Sequence, residues 1–232
     1  DDIEYVCGSL IYMDDVDVSS AVAENTYWNF ELKLRKIESN IKTIVNGNGA
    51  IYAVRKADYR HIDLVNSHDY ELPLYAGLNH KRALYNPKAI AVEKAGQTTA
   101  DEFKRKVRMQ RRILTNIFTN LRRLNIFEYG WFSFFHFGHK TLRYMQAFFH
   151  IVLFIANLAV LNEGIFYRVF FLGQVAFYTL AVIGQLSKAK SKIFYFPRYY
   201  CAMMLAQILG GVKELRGGSK ATWEKAETTR KL

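Results

Sequence analysis

The sequence predicts an α/β domain followed by an α-helical membrane region. Three observations predict it. Strand-like and helix-like segments alternate as far as Asn125. Beyond Asn125 the chain turns aromatic and apolar, with Met145 to Leu161 and Ile165 to Leu186 about as long as a spanning helix must be. The third is charge: the chain of 232 residues carries a formal +11, unevenly spread. The first thirty residues are acidic and lack Lys and Arg, while basic residues gather between Lys104 and Arg143, beside the apolar third. That arrangement suits an anionic membrane surface and a phosphate site, and argues against nucleic acid as a partner. Cys7 in a strand and Cys201 in an apolar segment do not suggest a disulfide, in keeping with a reducing cytosolic face.

Taken in order, Ile3 to Met13 alternates loosely around Gly8 and reads as a strand, with Gly8 marking a bulge or a close backbone approach. Asp14 to Asp17 reads as a turn of solvated acids. From Ser20 to about Ile41, Val22, Tyr27, Phe30, Leu34 and Ile37 recur at helical spacing, with Ser19 or Ser20 as N-cap. Glu31, Arg35 and Glu38, spaced by four and three, predict an exposed charged face on that helix. Asn46-Gly47-Asn48-Gly49 followed by AIYAV reads as a hairpin turn and a buried strand, or as glycines that let backbone amides approach a substrate.

Asp58 to Leu64 is a short helix or loop. Glu71-Leu72-Pro73-Leu74 opens a helix ending near Gly77. Arg82 to Tyr85 is a strand, Tyr85-Asn86-Pro87 a turn, and Ala89 to Glu93 another strand. Thr98 or Thr99 caps a helix running to about Leu124, with Asp101 and Glu102 in its first turn. On this helix Arg105, Arg108 and Arg112 share a face.

Ile126 to Gly138 is rich in Phe, Tyr and Trp and is expected to lie in a membrane interface. His136, His139 and His150 straddle that boundary without ligand spacing to an acid and read as packing or interface residues. Asn162-Glu163-Gly164 links the two apolar segments. Lys188, Lys190 and Lys192 follow the second, placing the link outside and the lysines inside. Ile193 to Val212 is apolar but interrupted by Pro197 and Arg198. It is either re-entrant or a full crossing, and the tail beyond it is basic and expected to be cytosolic.

The runs NGNGAIYAVRK, HDYELPLYAGLNHKRALYNPKAIAVEKAG and DEFKRKVRMQRRIL, with HKTLRY and the terminal ATWEKAETTR, together resemble the acceptor half of family 2 membrane glycosyltransferases related to hyaluronan, chitin and cellulose synthases. The resemblance implies part of a glycosyltransferase A-type (nucleotide-diphospho-sugar transferase) domain over residues 1–125. It also implies interface and transmembrane or re-entrant helices over 126–212 and a basic tail over 213–232. The family's acidic pair falls on His68-Asp69, which makes Asp69 the candidate general base, with His68 replacing the first acid. The Gly47, Asn48 and Gly49 turn with His68 becomes the acceptor side. The family's Gln-x-x-Arg-Trp motif falls on Arg105 to Met109, keeping Arg108 but losing the glutamine and tryptophan. Arg105, Arg108 and Arg112 are thereby expected on the side of the leaving diphosphate. A divalent metal, Mg or Mn, is expected, bound by an aspartate motif that this stretch lacks and that belongs to a preceding half.

These residue types fit the chemistry. A carboxylate beside a sugar hydroxyl accepts its proton as the new bond forms, and cations stabilise a departing diphosphate. The expected function is inverting transfer of a sugar from a nucleotide-diphosphate donor, a UDP-sugar, to a glycan or lipid-linked acceptor in exopolysaccharide or cell-surface glycan synthesis. The expected location is a multi-pass cell membrane protein with its catalytic part cytosolic. A fragment without the donor half is expected to be inactive alone. The competing class is a non-catalytic membrane scaffold or assembly subunit, supported by the substitutions at His68, Arg105 and Met109.

Overall fold

The computed structural model describes residues 2–13, 19–63, 66–94, 99–110, 112–187 and 191–217. The turn expected at Asp14 to Asp17, Thr98, Arg111, Lys188, Lys190 and the stretch Trp223 to Arg230 lie outside them. In chain order the elements are β1 (Ile3–Met13), α1 (Ser19–Ile41), β2 (Tyr52–Val54), a 3-10 turn at Lys56–Asp58 and α2 (His68–Leu78). Then come β3 (Arg82–Lys94), α3 (Thr99–Met109), α4 (Ile113–Phe118), a 3-10 turn at Leu121–Leu124, α5 (Ile126–Tyr129) and α6 (Trp131–Phe135). A π-helical turn at His136–Thr141 leads into α7 (Leu142–Tyr144), α8 (Gln146–Ala159), α9 (Ile165–Ser187) and α10 (Lys192–Leu215).

This corrects the expected fold class. The molecule is 67% helical with one small mixed sheet, not an α/β glycosyltransferase A-type domain followed by a membrane region. The described strands form a sheet of order β2-β1-β3, with β2 antiparallel and β3 parallel to β1. The sequence overestimated strand content for physical reasons. AIYAV yields only three paired residues, because Asn48 Oδ1 accepts from the amides of Ala50 (2.9 Å) and Ile51 (3.1 Å) and holds them in a turn. The two strands expected around Pro87 are one, β3. Its register against β1 jumps between Cys7–Tyr85 and Ser9–Ile90, so Pro87, which has no N–H to give a ladder, sits in a bulge. Gly8 lies against that bulge: a Cβ there would come within 2.2 Å of the Ala89 carbonyl oxygen.

The chain forms two compact units. The first contains Asp1–Asp101 and Leu114–Arg143, the second Glu102–Ile113 and Tyr144–Gly218. In the first, Tyr5, Cys7, Ile44, Ile62, Leu72, Ala76 and Ala83 make one core cluster of strand and α2 residues. Val45, Tyr70, Leu74, Phe132 and Phe135 make a second. Gly77 lets α6 seat there, since a Cβ on it would lie 2.2 Å from the Phe132 ring.

In the second unit α9 packs against α8 and α10. Helix α9 is long and apolar enough to cross a membrane. The segment expected to span from Met145 to Leu161 forms a helix of only 14 residues, α8, about 21 Å long at 1.5 Å per residue. It reaches spanning length only when counted with the bent helix before it. The third apolar segment is one continuous helix through Pro197.

The expected helix from Thr99 to Leu124 is broken. α3 stops at Met109, Arg112 takes φ 73°, and Asn120 takes φ 54°. Arg112 therefore does not share a helical face with Arg105 and Arg108, as the spacing had suggested. α1 forms as expected but its faces are exchanged. Phe30 and Ile37 are exposed at 55% and 53%, while Glu31, Arg35 and Glu38 are buried.

Candidate active site

Asp69 lies in the first turn of α2, where the helix dipole favours a carboxylate. The Ser67 carbonyl accepts the amides of Tyr70 (3.1 Å) and Glu71 (2.9 Å), which closes that turn. The Ser67 hydroxyl donates to the Asp69 carboxylate. Four residues on, Pro73 has no N–H to return to the Asp69 carbonyl. That carbonyl instead accepts the Gly47 amide at 2.7 Å. One proline thus ties the Gly47 turn to the residue read as the base, and brings together in the first unit two parts of the site that the sequence named separately.

The turn itself divides. A Cβ on Gly47 would stand 2.0 Å from the Tyr5 hydroxyl oxygen, so only glycine fits there. Gly49 is exposed, with nothing within 4 Å of where its Cβ would be. Asn48 is buried and engaged by the fold: besides capping Ala50 and Ile51, its Nδ2 donates to the Gly8 carbonyl at 2.5 Å. Its side chain holds the turn and offers little to an acceptor.

His68 Nδ1 is 3.3 Å from the Tyr52 hydroxyl, and Tyr52 stacks on Tyr5 with ring centroids 5.5 Å apart. The sequence reading missed Tyr5 and Tyr52. The period-2 alternation of β1, which puts Tyr5 and Cys7 on one face, was the available signal. Burial, with the nearby Cys7 and Asp69, pushes the Tyr5 phenol far above its usual range. Burial also pushes the Cys7 thiol up to about 11, so it remains an unreactive core group.

The arginines read as the diphosphate side belong to the second unit. Beside Arg108, Lys106 donates to the Tyr199 hydroxyl at 3.1 Å and lies 5.0 Å over that ring, which fastens α3 to α10. The side chain of Arg105 lies outside the described residues.

The largest departure is a buried ionic cluster. The residues expected on an exposed face, Glu31, Arg35 and Glu38, meet His139, which reads from the sequence as a packing or interface residue. His139 Nε2 is 2.8 Å from Glu31 and Nδ1 is 2.6 Å from Glu38. Arg143 donates to the other Glu31 oxygen at 2.8 Å, and Arg35 is 3.6 Å from Glu31 and 5.1 Å over the Trp28 ring. Burial pushes the Glu31 carboxyl up, but the His139 hydrogen bond with the charges of Lys140, His139 and Arg143 outweighs it and holds the group well below its ordinary value. Burial lowers the Lys140 ammonium to about 8.

Next to it His136 accepts from or donates to the Tyr70 hydroxyl at 3.0 Å. Burial first, then the charges of Arg123, Lys140 and His139, lower its pKa well below the usual value. His150, in the second unit, bridges the Tyr178 and Tyr200 hydroxyls at 3.2 and 2.8 Å.

Among the described residues no group of three or more His, Cys, Asp or Glu side chains could hold a metal ion. Compared with family models and with curated proteins, the sequence matches none.

Proposed function

We propose that the protein is an inverting, membrane-embedded glycosyltransferase that uses a nucleotide-diphosphate sugar and a glycan or lipid-linked acceptor. The observation that carries this reading is the Asp69 carboxylate at a helix N-terminus, tied through its own carbonyl to the Gly47 amide. The resemblance of the surrounding sequence to family 2 membrane glycosyltransferases supports it.

In the reaction, the acceptor hydroxyl oxygen attacks the anomeric carbon from the face opposite the diphosphate. The carbon–diphosphate bond breaks with its electron pair on the leaving group, and the hydroxyl proton passes to Asp69. Arg105 and Arg108 are assigned to charge developing on the diphosphate. Mg or Mn, as expected of relatives, would neutralise that diphosphate, and no described residue cluster is assigned to it. A multi-pass position in the cell membrane, with Asp69 on the cytosolic side, accords with the apolar helices and with the lysines after α9.

Asp69→Asn tests the reading, because it keeps size and hydrogen bonding but cannot take the proton. Membranes containing the full-length variant should transfer sugar from a nucleotide donor at least about a hundredfold more slowly than wild type. Expression and membrane insertion should be unchanged. Transfer at the wild-type rate would remove Asp69 as the base. The scaffold reading draws on Asn48, whose side chain serves the fold, and predicts that glycan assembly proceeds unaltered in the same variant.

A further inference from the structure

Helices α8, α9 and α10 of the second unit line a groove of about 580 Å³, within the roughly 300–1,000 Å³ usual for small-molecule sites. Its wall is a stripe of α9, Phe166, Phe170, Gly173 and Phe177 at spacings of four, three and four, flanked by Leu153 of α8 and Phe196 of α10. Phe166 and Phe196 stand exposed at its mouth. A Cβ on Gly173 would meet nothing within 4 Å, so the glycine widens the groove. One end of the groove is polar. Gln146 Nε2 donates to the Tyr200 hydroxyl, which leaves that hydroxyl's own proton for His150 Nε2 at 2.8 Å. Nδ1 then carries the imidazole proton and donates it to the Tyr178 oxygen at 3.2 Å. The relay ends there: Tyr178 lines the groove, and its proton has no acceptor among the described residues. Gln174, one turn away on α9, has its oxygen engaged by Asn157 Nδ2 at 2.9 Å, while its own Nε2 has no partner among the described residues. Both groups are donors that face the groove and need an oxygen.

We propose that this groove binds a diacyl glycerolipid: one acyl chain lies along the α9 stripe, and its ester carbonyl accepts the Tyr178 proton, with the Gln174 amide as a second donor. Helix α9 is long and apolar enough to cross a membrane, so lipid chains are the material at the groove's mouth. The polar end decides which lipid. An ester carbonyl is a neutral acceptor and suits these neutral donors. An isoprenoid phosphate has a chain without oxygen and an anion that needs a cation, and among the described residues that line the groove there is no Lys or Arg. Direction agrees. His150 stands four residues into α8, about 6 Å from its first residue, and the stripe runs from Tyr178 beside it about 18 Å to Phe166 at the far end of α9. An ester near the start of α8 with its chain reaching deeper is how a glycerolipid lies in a bilayer. The site rests on the membrane position of α9 and not on the transfer reading.

The test is native mass spectrometry of the full-length protein in detergent, titrated with dioleoyl phosphatidylcholine and with its diether analogue, which keeps the chains and lacks the carbonyls. The diester should bind roughly tenfold more tightly than the diether, as one added hydrogen bond predicts. Gly173→Leu fills the groove and should weaken both lipids at least about tenfold, at an unfolding temperature equal to or above that of wild type, since leucine is the better helix former. Tyr178→Phe should still bind the chains but hold the two lipids equally, a ratio that reads the donor whatever the variant's stability. Equal affinity of wild type for the two lipids, undiminished binding by Gly173→Leu, or a retained ester preference in Tyr178→Phe would each overturn the proposal. Displacement of the diester by an equal concentration of a polyprenyl phosphate would overturn it too, by giving the groove to an isoprenoid anion. None of these measurements reads sugar transfer, so wild-type turnover by Asp69→Asn would remove the transfer reading and leave the lipid site standing.

Discussion

His139 shows what single residues contribute to this fold. Both ring nitrogens face carboxylate oxygens, at 2.6 and 2.8 Å. The ring thus ties two buried carboxyl groups of α1 to the π-helical turn, and its hydrogen bond to Glu31 helps hold that carboxyl well below its ordinary value. His139→Ala should destabilise the protein by about 3–5 kcal/mol, the usual cost of leaving a buried charge unpaired. Unfolding in detergent measures it, and a variant as stable as wild type would show that the cluster holds nothing together.

Acid should act on the same region through Glu31 and His136. Glu31, held well below its ordinary 4.5, contributes stability that is complete above 4.5 and lost as pH falls through its folded value. His136, held well below 6.5, takes up its proton more readily when unfolded, so stability falls as pH drops below 6.5. The unfolding temperature should therefore decline from about pH 6.5 downward and fall further below about 4.5. A rise on acidification through that window would contradict both assignments.

At the scale of elements, what was legible in the sequence was local. α1 and α2 form close to where caps and apolar spacing put them, and Gly8 proves to be a site of close backbone approach. Asp69 was picked out through the resemblance alone, and Ser67 and Pro73, which make its surroundings in the fold, are its neighbours in sequence. The errors came where distant partners decide. Spacing alone put Phe30 and Ile37 inside and Glu31, Arg35 and Glu38 outside, yet the partner for α1's charged stripe is His139 with Arg143, about a hundred residues away. No period in α1 could announce that. Pro87 was read as a turn because proline lacks the ladder donor, but a bulge meets the same constraint and lets β3 run on. The α/β assignment failed through accumulation: each short strand signal was real, but β2 shrank to three residues, two strands merged, and every described element after β3 is helical.

At the scale of the whole molecule, one helix among the described residues is long and apolar enough to cross a membrane. Phe166, Leu172 and Leu186 on α9 are 70%, 65% and 79% exposed, and α8 and α10 also turn large apolar side chains outward. A water-facing surface of that kind would drive association, whereas hydrocarbon accepts it without cost. At 23 residues α9 spans about 34 Å, against roughly 30 Å of bilayer core. An arginine should then be tolerated according to depth. Val175 lies near the middle of the helix, and Val175→Arg should disfavour insertion by about 3 kcal/mol, more than a hundredfold in the inserted fraction. Leu186 lies in the last turn, so Leu186→Arg can reach the interface with its head group and should insert as wild type does. Retention in membranes after alkaline carbonate washing reads the difference. Equal retention of the two variants would mean that α9 lies on the surface rather than across the bilayer, since an interfacial helix exposes both positions to the same depth.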